Sequence, residues 1–146
     1  MALKEEGAPA LQAGAMPYAI VQNQIAFLLI TSRRTGRWIF PKGAVFEGLA
    51  PWDSAAQEAL EEAGVEGQIE TFPIGSYRSV KHGVRRSVIE VELYPLKVER
   101  QHEEWPEMRQ RHRHWAILPE VTRLITDKPL AGLAVRLAQR FQTIAR

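Results

Sequence analysis

The chain contains no cysteine. Disulfides, thiolate metal sites and a cysteine nucleophile are therefore excluded. Any metal site must use carboxylates, imidazoles or carbonyls, a donor set that favours hard cations such as Mg²⁺ or Mn²⁺. Long apolar runs are also missing. The longest, Ile25–Ile30, is far too short to span a bilayer, and the start of the chain lacks the apolar stretch of a secretory signal. No membrane partner is expected, and a cytoplasmic location is the default. Charge of one sign is scarce too, with 19 Lys and Arg against 17 Asp and Glu. A protein that coats nucleic acid is not indicated, although a local basic patch is allowed. There is no phosphate loop of the Gly-Lys-Ser/Thr type and no Ser-His-Asp signature. His102, His112 and His114 have no spacing that makes a zinc site.

What is present suits one α/β domain. The 146 residues are 45% apolar and 25% charged, ordinary values for a chain with a single core. Residues 1–15, rich in Ala and Gly, read as a flexible tail, and 16–146 as one domain. Strands are expected at 18–21 and 25–31, with a turn at 22–24, and at 38–40 before Pro41. Residues 42–50 read as a loop, and 51–63 as a helix with proline in its first turn and Gly64 just past its end. Two β-rich segments follow at 69–79 and 87–98. The second alternates Ile89, Val91 and Leu93 with Glu90, Glu92 and Tyr94, and Pro95 suggests a bulge or an edge. Residues 101–113 are charged and irregular, 114–117 form a last strand, and helical patterns near 119–125 and 129–141 close the chain.

The segment from Gly43 to Val65 carries the chemistry. On a helix, Trp52, Ala55, Ala56, Ala59, Leu60 and Ala63 share one face, and Glu58, Glu61 and Glu62 fall roughly opposite. The small alanines would let this helix lie close to a sheet. The acidic arc is unfavourable by itself. Like charges at i,i+4 destabilise by a few tenths of a kcal/mol, and acids in a last turn oppose the helix dipole at roughly 0.3–1 kcal/mol. No Lys or Arg occurs between Lys42 and Arg78 to relieve them. A divalent cation would convert the repulsion into ligation; a plain solvated acidic face is the alternative.

Gly43, Glu58, Glu61, Glu62, Gly64 and Val65 stand in the register of the Nudix box, which this segment resembles. The box reads Gly, five residues, Glu, seven residues, then Arg-Glu-aliphatic-any-Glu-Glu-any-Gly-aliphatic. The resemblance implies an α/β/α sandwich with a mixed β-sheet and a loop–helix–loop motif whose glutamates bind Mg²⁺ or Mn²⁺. It extends to Arg37-Trp38-Ile39-Phe40-Pro41-Lys42-Gly43, and to Arg113-His114-Trp115-Ala116 with Pro119-Glu120-Val121. Those stretches are similar to the diphosphoinositol-polyphosphate and diadenosine-polyphosphate hydrolases. Two positions depart from the box: its first Glu is Leu49 here and its Arg is Gln57. In the family that pair helps hold the catalytic glutamates. Here both charges are absent together, so neither is left unpaired, and Glu47 stands close to the vacant acidic position. Ala59 replaces a larger aliphatic residue.

The resemblance implies a hydrolase that cleaves a phosphoanhydride bond in a nucleoside polyphosphate, dinucleoside polyphosphate or diphosphoinositol polyphosphate. Glu58, Glu61 and Glu62 would supply carboxylates, and the Gly43 carbonyl part of the metal shell. The proton would go to Glu58 or to a carboxylate outside the box, with Glu103, Glu104 and Glu107 the candidates and Glu90 and Glu92 next. Arg33, Arg34, Arg37 and Lys42, with a second group of Lys81, Arg85 and Arg86, are the candidate phosphate holders. Tyr77, His82 and Trp105 read as core or interface more readily than as base-stacking residues. The partner expected is a small phosphorylated substrate, and a homodimer stays open. Two other readings remain: a catalytically weak or inactive Nudix-like module that binds a phosphorylated ligand, kept open by Leu49 and Gln57, and a pyrophosphohydrolase of RNA 5′ ends.

Overall fold

The computed structural model describes residues 10–81 and 86–144. A mixed sheet is built around two long strands, β1 (Ala10–Val21) and β7 (Ser87–Gln101), which run parallel from Ala10↔Ile89 to Tyr18↔Lys97. β2 (Gln24–Thr31) pairs antiparallel with the second half of β1. The two-residue turn between them holds Gln22 and Asn23 at positive φ (51° and 64°), a backbone twist that suits a tight hairpin. β8 (Arg113–Ile117) lines the other side of β2. β3 (Trp38–Ile39) pairs with the end of β2, and β4 (Lys42–Ala44) with the start of β1 at Gln12–Gly14. Residues 38–44 therefore cross from one strand to the other where β1 and β2 diverge. On β7, the outer partners are β6 (Gly75–Lys81) along its first half and β5 (Val65–Ile69) along its second.

Helix α1 begins with Pro51–Glu58 and continues through a π-helical turn, Ala59–Ala63. α2 is Leu118–Leu124 and α3 is Lys128–Ile144. Strand periodicity sorts the core into two layers. Met16, Tyr18, Phe27, Leu29, Val91 and Leu93 face α2 and α3 with Leu130, Leu133 and Leu137. Ala13, Ala15, Leu28, Ile30, Tyr94 and Leu96 face α1 with Ala55, Ala59 and Ala63. The result is the expected α/β/α sandwich. β2 is an unbroken apolar run because both of its faces are covered. Among the described residues, no helix is long and apolar enough to cross a membrane.

Three expectations need correction. The flexible tail does not extend to residue 15: β1 starts at Ala10 and is paired on both edges, with Ala13 and Ala15 fully buried. Its small residues are small because neighbours press on them. A Cβ on Gly14 would stand 2.7 Å from the Pro41 carbonyl oxygen. Residues 1–9 lie outside the described residues. The loop expected over 42–50 opens as strand β4. Pro95 marks neither an edge nor a bulge: it sits inside β7, opposite Met16 of β1. Its carbonyl accepts from the Glu70 amide, while the Leu93 carbonyl accepts from the Ile74 amide. A strand residue's N–H and C=O point the same way, so the missing donor faces the gap where β7 exchanges β6 for β5 and costs no ladder bond.

Candidate active site

The box helix is anchored at both ends by neighbouring loops. At its start, Ala50 is extended and Pro51 opens the first turn, and the buried Ser54 hydroxyl accepts from the Phe46 amide at 2.9 Å. At its end, Gly64 takes the left-handed conformation (φ 70°). The carbonyls that a helix end leaves without partners are met by the charged segment after β7 and by the first residue of β8. Glu61 O accepts from the Glu107 amide at 3.1 Å and Gly64 O from the His102 amide at 2.8 Å. Glu62 O accepts from Trp105 Nε1 at 3.0 Å and Ala63 O from Arg113 Nη1 at 2.9 Å. The Arg113 guanidinium lies over the Trp105 ring, 3.8 Å from its centroid, which favours the cation. That segment is irregular, as expected, yet it fixes the last turn of α1.

This anchored turn sets two carboxylates side by side. Glu58 and Glu62 are 8% and 6% exposed. Glu58 lies against the Cα of Gly43, where a Cβ would collide with Oε2, so any larger residue there would push the carboxylate aside. Glu62 Oε1 accepts from the Lys42 amide at 3.2 Å, and Oε2 lies 3.5 Å from Arg111 Nη2. Glu61 is turned elsewhere: one helical turn from Gln57, its carboxylate accepts from Gln57 Nε2 at 3.1 Å near the surface. The three acids expected to act together are therefore a buried pair and a more exposed companion.

Electrostatics reflects the crowding. Burial pushes the Glu58 carboxyl up to about 8, and the charges of Glu62, Glu61 and Glu107 push the same way against Arg111. Burial raises Glu62 to about 7, opposed by Arg111 and the Lys42 amide. Desolvated carboxylates with an excess of negative neighbours are what a hard cation relieves. Among the described residues, no three acidic or histidine side chains form a ready-made ligand shell. Mg²⁺ needs none: it usually keeps several waters and takes one or two carboxylates together with substrate phosphates. The buried pair beside Gly43 fits that pattern.

The other expected residues separate clearly. Of the five candidate proton acceptors outside the box, Glu107 is the one whose charge acts on Glu58 and Glu62. Glu103 and Glu104 are exposed. Glu90 pairs with Arg78 at 3.6 Å, and Glu92 accepts from the Tyr94 hydroxyl at 3.2 Å. Arg33, on the β2–β3 loop with Arg34 and Arg37, reaches this region: its Nη1 donates to Gln110 at 3.0 Å and its Nε lies 4.0 Å from Glu107. Lys42 lends its amide to Glu62 and its Nζ to Gln12 at 3.4 Å. The second basic group stands apart. Lys81 ends β6 and Arg86 is exposed just before β7, with β7 and β1 lying between β6 and β4. Arg85 and His82 lie outside the described residues. Tyr77 is core and Trp105 a helix anchor, not base platforms. Glu47 is exposed, and Leu49 is 45% exposed. His102 and His114 pair with Glu66 and Glu120 rather than with each other.

Sequence reasoning missed Arg111, which contacts Glu62 and Glu107. Its only signal was membership of a loop that also holds Arg109 and Arg113, and spacing does not say which of them turns inward.

The NUDIX domain family model matches residues 12–132. Among its relatives, the mitochondrial Nudix hydrolase 12 of Arabidopsis thaliana is 28% identical, covering 78% of this chain and 65% of the relative. The chloroplastic Nudix hydrolase 21 of the same plant is 33% identical, covering 76% of this chain and 57% of the relative. The chain thus spans less than two thirds of the length of these relatives. Among solved structures, an Ap4A hydrolase of C. elegans superposes with a TM-score of 0.64 at 19% identity, covering 90% of this chain and 98% of that one. The NUDIX domain of Shewanella oneidensis NrtR, complexed with ADP ribose, gives 0.70 at 17% identity, covering 94% and 91%. With the box in register, the sandwich formed and the family model matched over most of its length, the chain is a member of the Nudix family.

Proposed function

We propose that this chain is a Mg²⁺-dependent pyrophosphohydrolase that cleaves a phosphoanhydride bond in a nucleoside polyphosphate, dinucleoside polyphosphate or diphosphoinositol polyphosphate. The observation that carries this reading is the buried Glu58–Glu62 pair held against Gly43 and the Lys42 amide. Members of the family generally use divalent metal ions. Glu58 and Glu62, with the Gly43 carbonyl, would hold the cation, and Glu61 would join through water. When bound, the cation supplies charge neutralisation at phosphate and an acidified water.

The chain's own groups complete the reading. Arg33, Arg34 and Arg37 approach from the β2–β3 loop to orient the phosphate chain, since guanidinium forks match phosphate oxygens. Glu107, at the rim and paired with Arg111, would be the carboxylate outside the box that accepts a proton. A solved neighbour is an Ap4A hydrolase and another binds ADP ribose; both ligands are nucleoside diphosphate derivatives, which supports the substrate class. A cytoplasmic location belongs to the same reading.

Leu49 and Gln57 favour a second reading, a binding module without turnover: Leu49 is exposed and Gln57 serves only Glu61 among the described residues. Release of phosphate or pyrophosphate from a panel of such substrates, with Mg²⁺ and with chelator, separates the two. Turnover that requires Mg²⁺ and is lost in Glu62→Gln is expected. Wild type and Glu62→Gln equally inert on the whole panel would overturn the enzyme reading.

A further inference from the structure

Arg111 has an unusual position for an arginine in an exposed, charged loop: its side chain is 7% exposed. Each nitrogen of its guanidinium has a separate task. Nε donates to Glu107 Oε1 at 2.8 Å. Nη1 donates to the Thr31 carbonyl, at the end of β2, at 2.9 Å. Nη2 lies 3.5 Å from Glu62 Oε2. The segment that carries it is tied down on both sides. The Thr31 amide donates to the His112 carbonyl at 3.0 Å, and the His112 amide to Thr31 Oγ1 at 2.8 Å. The Glu107 amide bonds to the helix end.

The guanidinium plane is therefore fixed by a strand, a loop and a helix at once. Its position limits the Glu62 carboxylate from one side while the Lys42 amide limits it from the other. The side chains at 49 and 57 do not do this. Leu49 has no charge, and the Gln57 amide goes to Glu61.

We propose that Arg111 is the positioning residue of this site: it sets the direction of the Glu62 carboxylate and locks it to Glu107, and through Glu107 to Arg33 of the basic loop. The inference deepens the functional reading above and rests on it. Arg111 is too enclosed to be a substrate-binding arm, so its loss acts on the geometry of the acids and not on encounter with substrate. Lysine keeps the charge but lacks the planar fork that serves three acceptors in fixed directions. It restores part of the function and not all of it.

The test uses the full chain and compares wild type, Arg111→Gln, Arg111→Lys and Arg33→Gln. Steady-state kinetics are measured on the panel substrate turned over fastest, and Mn²⁺ affinity by electron paramagnetic resonance without substrate. Arg111→Gln is expected to lose ~10- to 100-fold in kcat and in Mn²⁺ affinity, with KM unchanged. Arg111→Lys should fall between it and wild type. Arg33→Gln should raise KM and leave Mn²⁺ affinity alone. Should Arg111→Gln fail to fold, Arg111→Lys decides: kcat and Mn²⁺ affinity equal to wild type overturn the proposal. The same holds for a folded Arg111→Gln with unchanged Mn²⁺ affinity. If wild type turns over nothing, the functional reading fails and the Mn²⁺ arm decides Arg111 by itself. If wild type also fails to bind Mn²⁺, both fall.

Discussion

The two faces of the sheet are packed on different terms. On one face, Met16, Phe27, Phe40 and Leu93 pack with Leu130 and Leu137 of α3, a layer of large side chains whose main task is stability. Between α1 and the sheet, Ala55, Ala59 and Ala63 of the helix meet Ala13 and Ala15 of β1, all fully buried, flanked by the larger Leu28, Ile30, Tyr94 and Leu96. Small contacts let α1 approach the sheet closely enough for Glu58 to meet the backbone of β4 and Glu62 to reach the Lys42 amide. Bulk lies on both faces, and the alanine seam under α1 adds precision. Damage to each should therefore be read out differently.

The largest effect is expected from Gly43→Ala. The added Cβ displaces the Glu58 carboxylate, and a misplacement of about 1 Å can cost on the order of 10²-fold in rate. Turnover should collapse while urea unfolding stays nearly cooperative and native-like; retained turnover would remove the close approach from the account. Leu137→Ala, on the other face, should cost about 2–5 kcal/mol of stability, with the specific activity of the folded fraction unchanged. Ala59→Val should cost about 1–3 kcal/mol by overpacking and, unlike Leu137→Ala, lower kcat as well, because α1 is pushed off the sheet. If both variants affect only stability, the division between the faces is wrong.

A smaller effect concerns pH. Glu58 and Glu62 are raised to about 8 and about 7 by burial and like charge. The folded state then binds protons that the unfolded chain has released, so stability present below the ordinary carboxylate range is lost as pH rises through 7 to 8. Thermal melts in chelator should show a midpoint that falls from pH 6 to pH 9. Glu58→Gln should flatten the fall, and Mn²⁺ should remove it. A midpoint that rises over this range contradicts the crowding of the pair.

Part of this was readable in the chain. The box register placed Glu58, Glu62 and Gly43 together, and the alanine stripe placed a close helix. The strand alternation at Ile89–Leu93 gave the two faces of β7. Other features depend on long-range partners that spacing cannot report. Ala13 and Ala15 look like tail residues until β4 and β7 flank them. Pro95 looks like an edge until β6 gives way to β5 beside it. Local periodicity treats 51–63 as one regular helix, and so misses the π-turn at Ala59–Ala63. Arg111 is the clearest case, because a charged loop residue reads as solvated until the fold encloses it.

On the reading proposed above, the buried acids of α1 are the cation site of a hydrolase. Mn²⁺ binding measured by electron paramagnetic resonance, on wild type, Glu58→Gln, Glu62→Gln and the exposed control Glu103→Gln, tests it most directly. Weakened binding is expected in the first two variants and wild-type binding in Glu103→Gln. Equal affinity in all four proteins would contradict it.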